Sequence, residues 1–123
     1  MKYLMATGAF GALMSVILGA LGAHKLGQFL STDALSAFNT AVEYQMYHSL
    51  AILLVCVLPI SKRRAVQAGI CFLVGTVLFS GSIYGLTIFG AGFLGPVTPL
   101  GGIILMSGWI ILIFTALRNA SHG

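Results

Sequence analysis

AILLVCVLPI-SKRR-AVQAGICFLVGTVLF, residues 51–79, is the stretch that decides the fold. Two long apolar runs flank four polar residues, Ser61-Lys62-Arg63-Arg64. Each run, followed to its natural limits, reaches the ~20 residues that a helix needs to cross ~30 Å of hydrocarbon. In lipid the backbone has no water to bond, so a crossing segment satisfies itself as a helix. A four-residue link then forces the two helices into an antiparallel hairpin with a basic turn.

Working outward, a charge-free run covers Tyr3 to Ala23 and a fourth apolar run begins at Pro99. The predicted helices are about 3–23, 34–60, 65–90 and 99–117. The expectation is an all-α, four-helix transmembrane bundle forming a single membrane domain over 1–123. Composition agrees: 59% of the 123 residues are apolar and 7% are charged, against about 25% charged in an average soluble domain. That leaves too little polar surface for a water-soluble globule. The first run loosely fits a secretory leader, with Lys2 before it and Ala20-Leu21-Gly22 as a small-x-small site. It is longer than a usual leader core, so we read it as a helix.

Four spans put the N-terminus, the second loop and the C-terminus on one side. That side carries Lys2, Lys62, Arg63, Arg64 and Arg118, and the other carries only Lys25, beside Asp33. The basic side is the cytoplasmic one, so both termini are expected in the cytoplasm. The basic residues sit at segment ends with no aromatic-interleaved patch, which argues against nucleic acid as a partner. Cys56 and Cys71 lie inside apolar runs without CxxC spacing and read as small apolar residues.

Local signals mark the ends. Thr98-Pro99 reads as an N-cap followed by proline at the first helical position, and Ser31-Thr32-Asp33 opens the second helix. Gly11, Ser15, Gly19 and Ala23 recur every four residues, with Gly8 and Ala12 in a neighbouring row and Gly81 with Gly85 on the third helix. Small residues at this spacing let helices approach closely in lipid. They fit contacts within the bundle or between subunits, as a homo-oligomer or with another protein.

The residues that could carry chemistry cluster in Asn39-Thr40-Ala41-Val42-Glu43-Tyr44-Gln45-Met46-Tyr47-His48. At 100° per residue, Ser36, Asn39, Thr40, Glu43 and Tyr47 share an arc about 100° wide. Ionisable groups at membrane depth face the bundle interior or water. Glu43 is therefore expected inside, within hydrogen-bond reach of another helix. A candidate outer-leaflet cluster comprises His24, Glu43, Tyr44, Gln45, His48, Ser80, Ser82 and Tyr84. Its structural reading is a hydrogen-bonded network that sets helix packing. Its functional readings are a ligand site or a proton relay through Glu43 and His48. No Ser-His-Asp order, HExxH or P-loop is present, and the cluster lacks a sufficient ligand set for a metal, so neither catalysis nor a cofactor is expected. Trp109, near the middle of the fourth helix, needs a partner for its indole N–H and reads as a packing residue. His122 falls in a polar tail.

Gly22-Ala23-His24-Lys25-Leu26, Ala41 to His48, Phe79-Ser80-Gly81-Ser82-Ile83-Tyr84 and Thr98-Pro99-Leu100-Gly101-Gly102 resemble the small YgdD-like membrane proteins. These are a domain-of-unknown-function family with bacterial inner-membrane members and animal relatives. The resemblance spans nearly the whole chain. It implies a four-helix protein of the bacterial plasma membrane and carries no catalytic residues. The expected function is non-catalytic binding of a lipid, small solute or protein partner through the outer cluster. The alternative is a small proton-coupled transporter or conduit acting as an oligomer. The inner halves of the helices offer few polar groups, so the expected pocket opens outward and is closed toward the cytoplasm.

Overall fold

The computed structural model describes residues 1–122, with side chains through Asn119; Gly123 and the His122 side chain lie outside them. Four helices follow one another: α1 (Lys2–His24), α2 (Thr32–Val55), α3 (Lys62–Phe89) and α4 (Val97–His122). Short 3-10 turns at Leu26–Gln28 and Gly92–Leu94 break the two longer connections. Segments Lys2–His24, Lys62–Phe89 and Gly92–Asn119 are each long and apolar enough to cross a membrane. α2 has the length, ~36 Å for 24 residues, but Asp33, Glu43 and their polar neighbours dilute its apolar character.

The helix ends depart from the hydropathy boundaries for local reasons. α2 stops at Val55 rather than Ile60, because Pro59 disfavours helical geometry in the residue before it. α3 begins at Lys62 rather than Ala65. Ser61 Oγ caps it by accepting the Arg64 N–H at 3.2 Å, and lysine and arginine are good helix formers. Its other end closes on Gly90, whose φ of 64° suits a residue without Cβ. Ser31 caps α2 as expected, accepting the Ala34 N–H at 3.1 Å. Thr98 is no cap. α4 starts one residue earlier, at Val97, and the Thr98 hydroxyl pairs instead with that of Ser82 on α3.

The helices pack in chain order, α1 on α2, α2 on α3 and α3 on α4. α1 makes little contact with α3 and none of note with α4, so the bundle is open along one side rather than closed. The core lies in the half of the bundle at the α2–α3 hairpin, where Ala51, Ile52, Val55, Ala65, Ala68 and Phe72 are buried together against Leu4, Ile60, Leu73, Ile111 and Leu112.

The expected small-residue row of α1 is used within the chain over its first half, where Gly11 packs against Ser49 and Ser15 is buried, and departs from the contact over its second. The buried residues of α1 are Gly8, Ser15 and Gly22, spaced by seven. A Cβ on Gly8 would lie 3.0 Å from the Ser49 carbonyl oxygen, whereas one on Gly19 would meet only Val42 at 3.5 Å, and Ala23 faces outward. A strict four-residue step turns ~40° too far each time on a 3.6-residue helix, so the expected row winds off the interface. A seven-residue repeat stays on it.

Candidate functional site

α2 sets the site, through the face it turns inward. Phe38, Ala41, Gln45, His48, Ser49 and Ile52 are buried, while Ser36, Asn39, Glu43 and Tyr47 are exposed. The polar arc anticipated as the interior face is thus the outward one. Glu43 lies outside the bundle and makes no side-chain hydrogen bond or ion pair among the described residues. This corrects the expectation that its carboxyl would be buried against another helix. The bulky Phe38 and Ile52 on the opposite side, with Ala41 between them, outweigh the carboxyl in choosing the face that packs. His24 is also exposed, on α1, and stands apart from the cluster.

The remaining candidates separate into two groups on either side of α3's contact with α2. On the α1 side, Gln45 bridges three helices. Its Nε2 donates to the Gly11 carbonyl at 2.9 Å, and its Oε1 accepts the Tyr84 hydroxyl at 2.6 Å. Ser80 Oγ donates to the Ala41 carbonyl at 2.7 Å, tying α3 to α2. On the α4 side, Trp109 Nε1–H donates to His48 Nε2 at 3.0 Å, and His48 Nδ1 faces the Tyr44 carbonyl at 2.7 Å. An indole N–H can only donate and a carbonyl can only accept. The His48 proton therefore sits on Nδ1, and the neutral ring is held at both nitrogens. Tyr44 stacks on Phe79 with ring centroids 4.8 Å apart. Ser82 pairs with Thr98 across α3 and α4. Trp109 was legible as a residue needing a partner, but the partner's identity was not.

A cavity of about 360 Å³ lies between α1, α2 and α3. It exists because α1 and α3 meet near the end that carries the α2–α3 hairpin, where Leu4 fills the space beside Gly69, and diverge away from it. Thr7, Phe10 and Met14 line it from α1, Gln45 and Ser49 from α2, and Thr76, Gly81 and Tyr84 from α3. The Tyr84–Gln45–Gly11 bridge stands at its outer end. The lining is mostly apolar, and the cavity lies on the side of the bundle where α1 and α3 make little contact.

Two hydroxyls at this cavity are unpartnered, and the sequence reading gave neither a place in the site. Thr7, Thr40, Thr87 and Thr115 each donate to the carbonyl four residues earlier, the usual refuge of a helical threonine. Thr76 does not: its Oγ1 is enclosed and has no hydrogen-bond partner. Ser49 is 3% exposed, and its hydroxyl also makes no hydrogen bond among the described residues. Buried polar atoms are normally paired, so the enclosed Thr76 hydroxyl is an exception among the described residues. No group of three or more His, Cys, Asp or Glu side chains that could hold a metal occurs among the described residues.

Comparison with known proteins gives a consistent picture. The family described as "Protein of unknown function (DUF423)" matches residues 18–102. The chain is 40% identical over 121 residues to a UPF0382 membrane protein of Staphylococcus aureus, covering 98% of this chain and 99% of that one. It is 39% identical over 121 residues to the UPF0382 membrane protein YwdK of Bacillus subtilis, covering 96% and 98%. It is 32% identical over 127 residues to the UPF0382 inner membrane protein YgdD of Escherichia coli, covering 99% and 95%. No solved structure matches. With three crossing-length apolar helices, these relatives identify a multi-pass protein of the bacterial plasma membrane.

Proposed function

The chain belongs to the DUF423 family of membrane proteins of unknown function, and from that premise we propose that it is a non-catalytic binding protein whose ligand enters sideways from the bilayer into the α1–α2–α3 cavity. The ligand is a largely apolar molecule carrying a hydrogen-bonding group near mid-depth. The observation that carries this reading is a cavity of about 360 Å³ with Ser49 on its wall, whose hydroxyl makes no hydrogen bond among the described residues. Leaving such a group unpaired costs about 1–3 kcal/mol, which a ligand's polar group would recover. Phe10, Met14 and Tyr84 supply apolar and aromatic walls.

In this reading α2 also crosses the membrane, since it packs between α1 and α3 along its length. Both termini are cytoplasmic, on the strength of the five basic residues at that end. Reporter fusions after Arg118 and in the Gly90–Gly95 loop should report opposite sides, and a periplasmic signal from the first would reverse the topology. The conduit alternative gains no support from this arrangement. A relay through Glu43 and His48 would need the two in communication, yet Glu43 points outward and both His48 nitrogens are engaged. The inner half beneath the cavity is the apolar core.

Gly81 provides the test, because a Cβ there would meet nothing within 4 Å, at the cavity's edge. Gly81→Leu should fill the cavity without a clash. Native mass spectrometry of protein extracted in lipid nanodiscs should show a retained small molecule in the wild type. The variant should lose most of it at an unchanged melting temperature. Equal retention by the variant would remove the cavity from consideration.

A further inference from the structure

The outward face of α2 does not suit lipid. Ser36, Thr40, Glu43, Tyr47, Leu50 and Leu54 form a seam with alternating steps of four and three residues, all on the outer side of the helix. The seam is apolar toward the inner end, where Leu50 and Leu54 are half exposed, and polar toward the outer end. With α2 crossing the membrane as proposed above, the polar part lies within the bilayer. Val42, next to Glu43 in the chain, is level with Gly19, five residues and so roughly 8 Å below the end of α1 at His24. Polar and ionisable groups at membrane depth normally face protein or water. Here the side chains of Asn39, Glu43, Tyr44 and Tyr47 make no hydrogen bond among the described residues.

The geometry points to a second copy of this chain as the cover, docked α2 against α2 about a two-fold axis along the membrane normal. Three features select that occupant. The four-three spacing is the pattern that keeps one helix face against another over several turns. The exposed groups are self-complementary, with the Glu43 carboxyl as acceptor and the Tyr47 hydroxyl and Asn39 amide as donors one turn away on either side. A two-fold contact requires such a patch, because each copy supplies the same surface. Beside the seam, a groove of about 330 Å³ between α2 and α4, bordered by Tyr44, Tyr47, Gly102 and Met106, leaves room for large side chains of the second copy. The interface lies on the opposite side of α2 from the Ser49–Thr76 cavity, so it is independent of the ligand reading.

Disulfide trapping in native membranes tests the contact, in a Cys56→Ala, Cys71→Ala background. Thr40→Cys and Tyr47→Cys lie on the seam, and Leu13→Cys lies on the exposed face of α1. The two seam positions should each give cross-linked dimer, and Leu13→Cys should give little. In a lipid-based association assay, Glu43→Ala should weaken dimerisation by roughly eightfold, the scale of two symmetry-related interhelical hydrogen bonds in a membrane, while Glu43→Gln should retain most of it. Three results would overturn the dimer: no cross-link at either seam position, equal cross-linking at Leu13→Cys, or seam adducts whose mass is that of a different protein.

Discussion

The α3–α4 interface and the α1–α3 gap are built from the same residue types and put them to opposite uses. Between α3 and α4 the backbones nearly touch. A Cβ on Gly101 would fall 2.8 Å from Phe79 Cα, one on Gly75 would fall 2.9 Å from the Leu105 nitrogen, and one on Gly108 would strike the Phe72 ring. Between α1 and α3, exposed Gly81 has nothing within 4 Å of its missing side chain and borders a cavity. Glycine on a membrane helix thus marks low volume, and the crossing of the helices decides whether that volume becomes contact or room.

The sharpest way to break this contrast is Gly101→Leu. A branched side chain there must displace the Phe79 backbone, which cannot yield as a side-chain tip can. We expect a loss of about 3 kcal/mol or failure to assemble, read as the unfolding midpoint in detergent or as loss of monodisperse protein. A mild shift would mean that the α3–α4 contact is looser than described. An intermediate effect should follow from Gln45→Leu, which removes both bonds of the bridge and leaves the Tyr84 hydroxyl unpaired beside the cavity. Interhelical hydrogen bonds in membranes average about 0.6 kcal/mol, so the loss should be roughly 1–2 kcal/mol, with Tyr84→Phe about half of it. If Gln45→Leu were neutral, the bridge would not be what holds α1 to the bundle. The smallest stability change belongs to Gly81→Leu, at or near zero, even though this variant is expected to have the largest effect on ligand retention.

Much of the site was legible in residue type, but its side of the helix was not. Gln45, His48, Ser80, Ser82 and Tyr84 do engage other helices or their backbones, and each was marked by polarity inside an apolar run. Glu43 and His24 carried the same mark and lie outside. The polar residues of α2 share one arc, which the cost of exposing them at membrane depth would turn to the interior. The packing instead follows Phe38, Ala41, Ile52 and Val55, whose burial sets the helix's rotation. Gln45, His48 and Ser49 are carried inward because they share that face. Thr76 and Ser49 carry no mark in the sequence, because an isolated hydroxyl in a transmembrane helix ordinarily bonds its own backbone. Only the absence of that bond, beside a cavity, makes them informative.

The amino-acid sequence by itself determined the solvent, the helical class, the α2–α3 hairpin and the basic end, since each depends on local composition and the length of apolar runs. The tertiary structure decided the rest: which face of α2 turns inward, that α1 and α3 diverge, which glycines touch a neighbour, and that Thr76 is left without a partner. Those properties depend on the relative rotation and crossing of helices. In lipid, rotation and crossing are set by van der Waals fit and interhelical hydrogen bonds rather than by hydrophobic patterning, because every face of such a helix is already apolar enough for its surroundings.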